Sequence, residues 1–235
     1  MAAEAHSTAT LRLTVGDLRI VHPITVPSGP VAAADVMPAL QGLVNAVVEA
    51  AEAGLMKSGE AISCRKGCGA CCRQLVPVSR TEGERLLTLI EAMPRERRAT
   101  LHARFAAAEA ALDGAGLAER RQKTDREMSL AYFALHLPCP FLEEESCSIH
   151  PDRPLVCREY LVTSPAELCA GPAQEGVTPV AVPKVSMAAR SLQKEGEDWF
   201  PLALLTKWAK TRPRSEVRRT GPEWTQRFLK GIGRK

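Results

Sequence analysis

The first regular pattern along the chain has a period of two. Leu11, Leu13 and Val15 alternate with polar residues, Gly16-Asp17 interrupts, and Leu18 and Ile20 resume the alternation, which predicts a β-hairpin over residues 11–26. Pro27-Ser28-Gly29-Pro30 then breaks the chain. From there the period becomes helical, at Val36, Leu40, Leu43, Val44, Val47, Val48, Ala51 and Leu55. Asp35 is placed to cap that helix and Lys57-Ser58-Gly59 to end it. A second helix is predicted after Ser79, with Glu82 and Glu84 in its first turn and Leu86, Leu87, Leu89 and Ile90 toward a core. A third has Pro94 in its first turn and runs to Gly114; it is so rich in Ala and Arg that a surface position is expected. A fourth covers residues 125–136 and carries Met128, Leu130, Tyr132, Phe133 and Leu135. Farther on, residues 177–185 predict a short strand, and 201–210 a helix built on Leu202, Leu204, Leu205 and Trp208.

These elements describe a mainly α fold of the α+β kind, with a small N-terminal β-hairpin. Composition agrees. The 235 residues are 45% hydrophobic but only 4% aromatic, so Leu, Val and Ala must fill the core, which favours packed helices. The segment 36–51 is the most apolar, yet Pro38, Gln41, Asn45 and Glu49 interrupt it, so no membrane span is expected. Residues 1–10 have no apolar stretch of the secretory kind. The expectation is a cytoplasmic protein.

The eight cysteines change the picture. Four stand in Cys64-Arg-Lys-Gly-Cys68-Gly-Ala-Cys71-Cys72, and four follow at Cys139, Cys147, Cys157 and Cys169. In a reducing compartment such clustering argues for metal ligation over disulfides. Gly67 and Gly69 are expected to permit positive-φ turns that aim sulfurs inward. Neighbouring side chains of an extended segment point to opposite faces. Cys64, Cys68 and Cys71 therefore read as one set, with Cys72 facing another site or staying unligated. The distal stretch holds Pro140, Pro151, Pro154 and Pro165, so it reads as a loop-rich knot that a ligand would order. A fourth ligand from it would close a loop of about 70 residues through metal, and eight thiols also fit two sites of four. The division expected is a hairpin extension at 1–34, a helical cysteine-cluster domain at 35–170 and a C-terminal segment at 171–235.

Arg65, Lys66 and Arg73 flank the first cluster and could offset thiolate charge or be solvated. Arg153 is expected to anchor the distal loop by hydrogen-bonding carbonyls. His150, three residues after Cys147, is expected to hydrogen-bond rather than ligate. Glu143-Glu144-Glu145 reads as a solvating loop.

The combination Cys64-x3-Cys68-x2-Cys71-Cys72, Cys139-Pro140-Phe141-Leu142, Cys147-Ser-Ile149-His150 and Arg153-Pro154-x2-Cys157-Arg158 resembles the YkgJ-type cysteine-cluster family, described as a "putative zinc- or iron-chelating domain". The resemblance covers residues 64–160 and implies metal chelation by seven cysteines, with Cys169 beyond the matched pattern. Thiolates suit zinc and iron alike. Cys139-Pro140 is similar to the Cys-Pro of ferredoxin loops, and the x3, x2 spacing is similar to the three-cysteine loop of radical enzymes, although no barrel-like alternation accompanies it. The reading leans to an iron–sulfur cluster, such as [4Fe–4S], over Zn²⁺.

The function expected is metal chelation with a structural, metal-handling or redox-sensing role. Relatives of the family include a flagellin lysine methylase, which leaves an iron–sulfur-dependent enzyme as an alternative by analogy. A third reading comes from charge. Net charge is +4, yet from Lys207 onward ten Lys or Arg face only Glu216 and Glu223. With Trp208, Trp224 and Phe228 interleaved, the tail 207–235 could bind RNA or an acidic partner as part of a zinc-stapled adaptor; the favoured alternative is a terminal helix pair that packs these aromatics on the body and leaves its charged face solvated.

Overall fold

The computed structural model describes residues 5–118, 125–171, 176–193, 199–211 and 217–232. The fold is mainly helical, with one substantial hairpin and otherwise only two-residue strand pairs. Strands β1 (His6–Val15) and β2 (Leu18–Pro27) pair antiparallel, Val15 opposite Leu18 and Leu13 opposite Ile20, around Gly16 at φ +59°. The alternation places Ile20, Ile24 and Val26 of β2 inward.

They meet α1 (Met37–Lys57), whose Leu40, Leu43, Val44 and Val47 are wholly buried at the three-and-four spacing read from sequence. Asp35 does not cap this helix. Its carboxylate accepts from Ala32 N at 2.9 Å and closes a 3₁₀ turn, Ala33–Val36, that leads into α1. Gly59, at φ +80°, turns the chain away after Ser58. The far side of this first core is α7 (Gly221–Gly231), which buries Trp224 and Phe228 against the 3₁₀ turn Val185–Leu192. Trp224 Nε1 donates to Val31 O at 3.0 Å, and Arg219 and Arg227 flank its ring.

A second core lies between α2 (Arg80–Glu91), α3 (Arg95–Gly114) and α6 (Leu205–Thr211). Contrary to a purely superficial position, α3 buries Leu101, Phe105, Ala108 and Leu112. Four apolar residues at helical spacing are enough for a core stripe, whatever the Ala and Arg content elsewhere. Phe105 meets Phe141 edge-on at 5.5 Å. Helix α4 (Asp125–Ala134) buries Met128, Tyr132 and Phe133 but leaves Leu130 half exposed, and it stops before His136 at φ +50°. Residues 177–185 do not form a strand. They contribute one bridge, Val162 to Pro179, and Pro179 and Pro183 have no N–H to extend it.

Among the described residues no helix is long and apolar enough to cross a membrane. Arg212, Arg214, Arg234 and Lys235 of the basic tail lie outside the described residues. The two cysteine-bearing stretches run along the seam between the cores. Cys64 packs against the first, and Cys139 and Cys147 against the second.

Candidate metal centre

The first cysteine loop leaves α1 and is pinned by Ser63, whose N and Oγ donate to Val162 O and Thr163 O at 2.8 and 3.0 Å. Gly67 takes φ +90° as its position requires. Gly69 does not: its φ is −104°. Its role is close approach, because a Cβ there would lie 2.5 Å from Glu145 O and 2.6 Å from a Leu142 methyl. The chain then enters a 3₁₀ turn, Ala70–Arg73, that carries Cys71 and Cys72. In this turn the two neighbouring thiols both face one cavity instead of pointing apart as they would in an extended segment.

The distal stretch docks on that turn. Cys139 N donates to Cys72 O at 2.7 Å. Leu142–Glu143 and Ser146–Cys147 form a two-residue hairpin whose tip, Glu144 and Glu145, sits at positive φ. The acidic triplet does more than solvate this loop. Glu145 pairs with both Arg73 terminal nitrogens at 2.9 and 2.6 Å, and Glu143 pairs with Arg97 and Arg104 at 3.3 and 3.1 Å. Arg73 is thereby committed to a carboxylate, while Arg65 and Lys66 are exposed.

Cys157 sits on the short helix α5 (Leu155–Glu159), which buried polar groups position. The Glu82 carboxylate accepts from Ser79 N and Oγ at the start of α2 and from Leu155 N at the start of α5, at 2.8–2.9 Å. The carbonyl anchor of the loop is Arg158, not Arg153. Its guanidinium donates to Arg153 O at 3.0 Å, Pro151 O at 2.5 Å and Asn45 Oδ1 at 2.9 Å. Burial lowers its pKa to about 10, which leaves it charged at neutral pH. Gln41 of α1 donates to Asp152 O and Arg153 O. The polar interruptions of the apolar α1 segment are therefore the groups that hold the Arg-Pro loop. Cys169, buried on the turn Ala166–Ala170, has its carbonyl held by Gln74 Nε2 at 3.1 Å.

These supports leave a cavity of about 110 Å³ lined by six cysteines: Cys68, Cys71, Cys72, Cys139, Cys147 and Cys157. That is several times the ~15 Å³ one water needs on this measure. Cys64 and Cys169 stand outside its wall. All eight cysteines are free thiols. Among the described residues no three His, Cys, Asp or Glu side chains stand close enough to grip a single ion as they are. Burial pushes the Cys139 thiol up to about 12 and Cys157 well above the usual thiol range. The neighbouring Cys72 thiol, together with burial, does the same to Cys71.

Opposing this, Arg153 projects into the cavity, and its charge lowers Cys64, Cys71, Cys147 and Cys157. Its Nε is buried without a hydrogen-bond partner. One terminal nitrogen donates to His150 Nε2 at 3.0 Å, which occupies the lone pair His150 would need to ligate from that atom. A guanidinium with an unpartnered Nε among soft thiols fits a group that brings negative charge to the cavity as thiolates form.

The arrangement is a cavity lined by soft sulfur donors, which suit zinc and iron alike. Residues 63–170, which include Cys169, match the model of the CxxCxxCC family, whose description is "putative zinc- or iron-chelating domain". No curated protein and no solved structure matches the chain. Glu82 was legible beforehand as the third residue after Ser79. Gln41, Asn45 and Gln74 carried no sequence signal beyond being polar in apolar surroundings.

Proposed function

We propose that the 63–170 domain holds an iron–sulfur cluster through its cysteines, in a cytoplasmic protein with a redox-sensing or metal-handling role. The observation that carries this reading is the set of six thiols, drawn from two remote segments, around one cavity that also receives the Arg153 guanidinium, whose Nε has no hydrogen-bond partner. A single zinc ion needs four ligands at about 2.3 Å from one point. Thiols spread around a volume suit a polynuclear core, which each thiolate touches from a different side. When bound, such a core supplies one-electron redox chemistry.

The chain's own residues do the rest. The buried thiols give up protons on loading, Arg153 offsets the charge that appears, and Arg158 with Gln41 fixes the backbone on which Arg153 stands. Phe141, Ile149 and Leu202 dry the cavity wall. The adaptor reading has less support, because Trp224 and Phe228 are core residues and Trp208 stacks on Phe200 at 4.4 Å, which leaves their faces unavailable to bases. Purification without oxygen followed by iron, sulfide and zinc analysis tests the proposal. Iron and sulfide in equal amounts, with broad visible absorption, are expected; a colourless protein with stoichiometric zinc contradicts it.

A further inference from the structure

The edge of a β-sheet presents a row of unpaired amides and carbonyls, which proteins protect with prolines, charges or a covering element. The N-terminal hairpin has one protected edge and one open edge. We propose that the open edge, strand β1, pairs antiparallel with β1 of a second copy of this chain. Two hairpins then form one four-stranded sheet, and the protein is a dimer. None of the cysteines takes part.

Register fixes which backbone groups point outward. Ser28 N donates to Ala5 O at 2.8 Å, so bonds within the hairpin run between Ala5 and Ser28 and between every second pair after it, from Ser7 with Val26 to Val15 with Leu18. The amides and carbonyls of Thr8, Thr10, Arg12 and Thr14 therefore point away from β2. On β2 the outward positions are Arg19, Val21, Pro23, Thr25 and Pro27. Pro23 and Pro27 have no N–H to offer, and Gly221 at the start of α7 lies against Pro27 O, so that edge is closed. Strand β1 has no proline, and Thr8, Thr10, Arg12 and Thr14 are all exposed. Among the described residues no third strand joins the pair. At 10 residues, the open edge is about twice the usual strand length.

The strand suits a copy of itself. Arg12 is the only charged residue between Ser7 and Val15. In the two central registers, with the two-fold axis at Thr10 or at Leu11, Arg12 faces the partner's Thr8 or the partner's Thr10. The two guanidiniums then lie on either side of the axis, and no like charges stand opposite each other. Threonines meet on the outer face, where Thr8 Oγ1 already lies 3.0 Å from Thr25 Oγ1 across the hairpin. On the inner face Leu11 and Leu13 pack on the first core but are only partly buried. The same registers set Leu11 against the partner's Ala9 or the partner's Leu11, which removes apolar surface from water along the edge. An unrelated extended segment would draw its specificity from pockets for alternate side chains. The outward face of β1 offers threonines and one charge instead, to which its own sequence is complementary. The prolines of β2 bound the sheet on both sides, so pairing stops at two chains.

The test is the mass of the full chain by sedimentation velocity, from low micromolar to near-millimolar concentration, with reductant present to exclude disulfide-linked species. The wild type should rise from one chain mass to two and no further. Thr10→Pro removes one outward amide and no bond of the hairpin, since Thr10 stands opposite Pro23 in a pair that exchanges none. It should stay monomeric throughout, with unchanged circular dichroism. A monomeric wild type, or a Thr10→Pro protein that dimerises as well as the wild type, overturns the proposal. Growth beyond two chains overturns the closed two-fold arrangement. Hydrogen exchange on the wild type removes dependence on the variant's folding. The amides of Thr8, Thr10, Arg12 and Thr14 should gain protection as concentration rises. If their exchange is the same at every concentration, β1 is not the interface, whether or not the mass doubles.

Discussion

Protonation and metal loading compete at the buried thiols. Burial raises Cys139 to about 12 and Cys169 to about 11, from an ordinary value near 9. A ligating thiol must lose its proton, so loading releases protons and weakens as pH falls. Apparent metal affinity measured by chelator competition should drop between pH 8 and pH 6, and a flat profile would mean that these thiols are not the ligands. The metal-free protein has the opposite dependence on base. A group whose folded pKa is raised stabilises the fold fully below its unfolded value and loses that contribution as pH rises through the folded one. The melting temperature of the metal-free chain should therefore fall as pH rises from 9 toward 12. Arg153 acts on the same equilibrium from outside the ligand set. Arg153→Met keeps bulk and removes the charge, and should weaken metal binding by about 10- to 100-fold, while Arg153→Lys preserves more of it. The cysteines are legible as residues, but the carbonyl anchor expected of Arg153 is Arg158. Sequence shows both beside Cys157; only the approach of Asn45 from α1 decides which guanidinium reaches the carbonyls.

Secondary elements carry the site by their ends. Ser79 and Glu82 form a capping box at α2, and the same carboxylate caps α5, which bears Cys157. Ser79→Ala should cost about 1 kcal/mol of stability in urea unfolding. Glu82→Ala should cost more, because Leu155 N is then left without its acceptor, a penalty of about 1–3 kcal/mol in addition. Gly69 joins the two cysteine stretches by contact alone. Gly69→Ala should push the 142–147 hairpin away and lower metal content with little change in helical circular dichroism; unchanged metal content would show that the two stretches need not touch. The hairpin and α1 to α4 were readable because their apolar periods are long. Residues 177–185 carry Val177, Val180, Val182 and Val185 in a strand-like pattern, but Pro179 and Pro183 lack the N–H groups a ladder needs. Gly69 was assigned the right place for the wrong reason, since a sequence cannot distinguish a glycine needed for positive φ from one needed for proximity.

At the scale of the molecule, the described residues bury three apolar clusters, and the thiol-bearing stretches pack against the first two, Cys64 on one and Cys139 and Cys147 on the other. Cys72 and Cys139 are about 70 residues apart in sequence, so a shared metal would restrain a long loop of the unfolded chain and add its binding free energy to folding. The first core does not depend on this. It is closed by α7, where Trp224→Ala should cost about 3–5 kcal/mol through lost burial, as read from chemical unfolding. The sequence offers packing of the tail's aromatic residues on the body as the alternative to an RNA-binding face, and Trp224 and Phe228 are buried beneath the hairpin and the Val185–Leu192 turn. Chelation is the central claim, and the most direct measurement is metal and acid-labile sulfide per chain in protein purified without oxygen. The account predicts a brown protein with iron and sulfide in equal amounts; a colourless chain carrying stoichiometric zinc, or no metal at all, would contradict it.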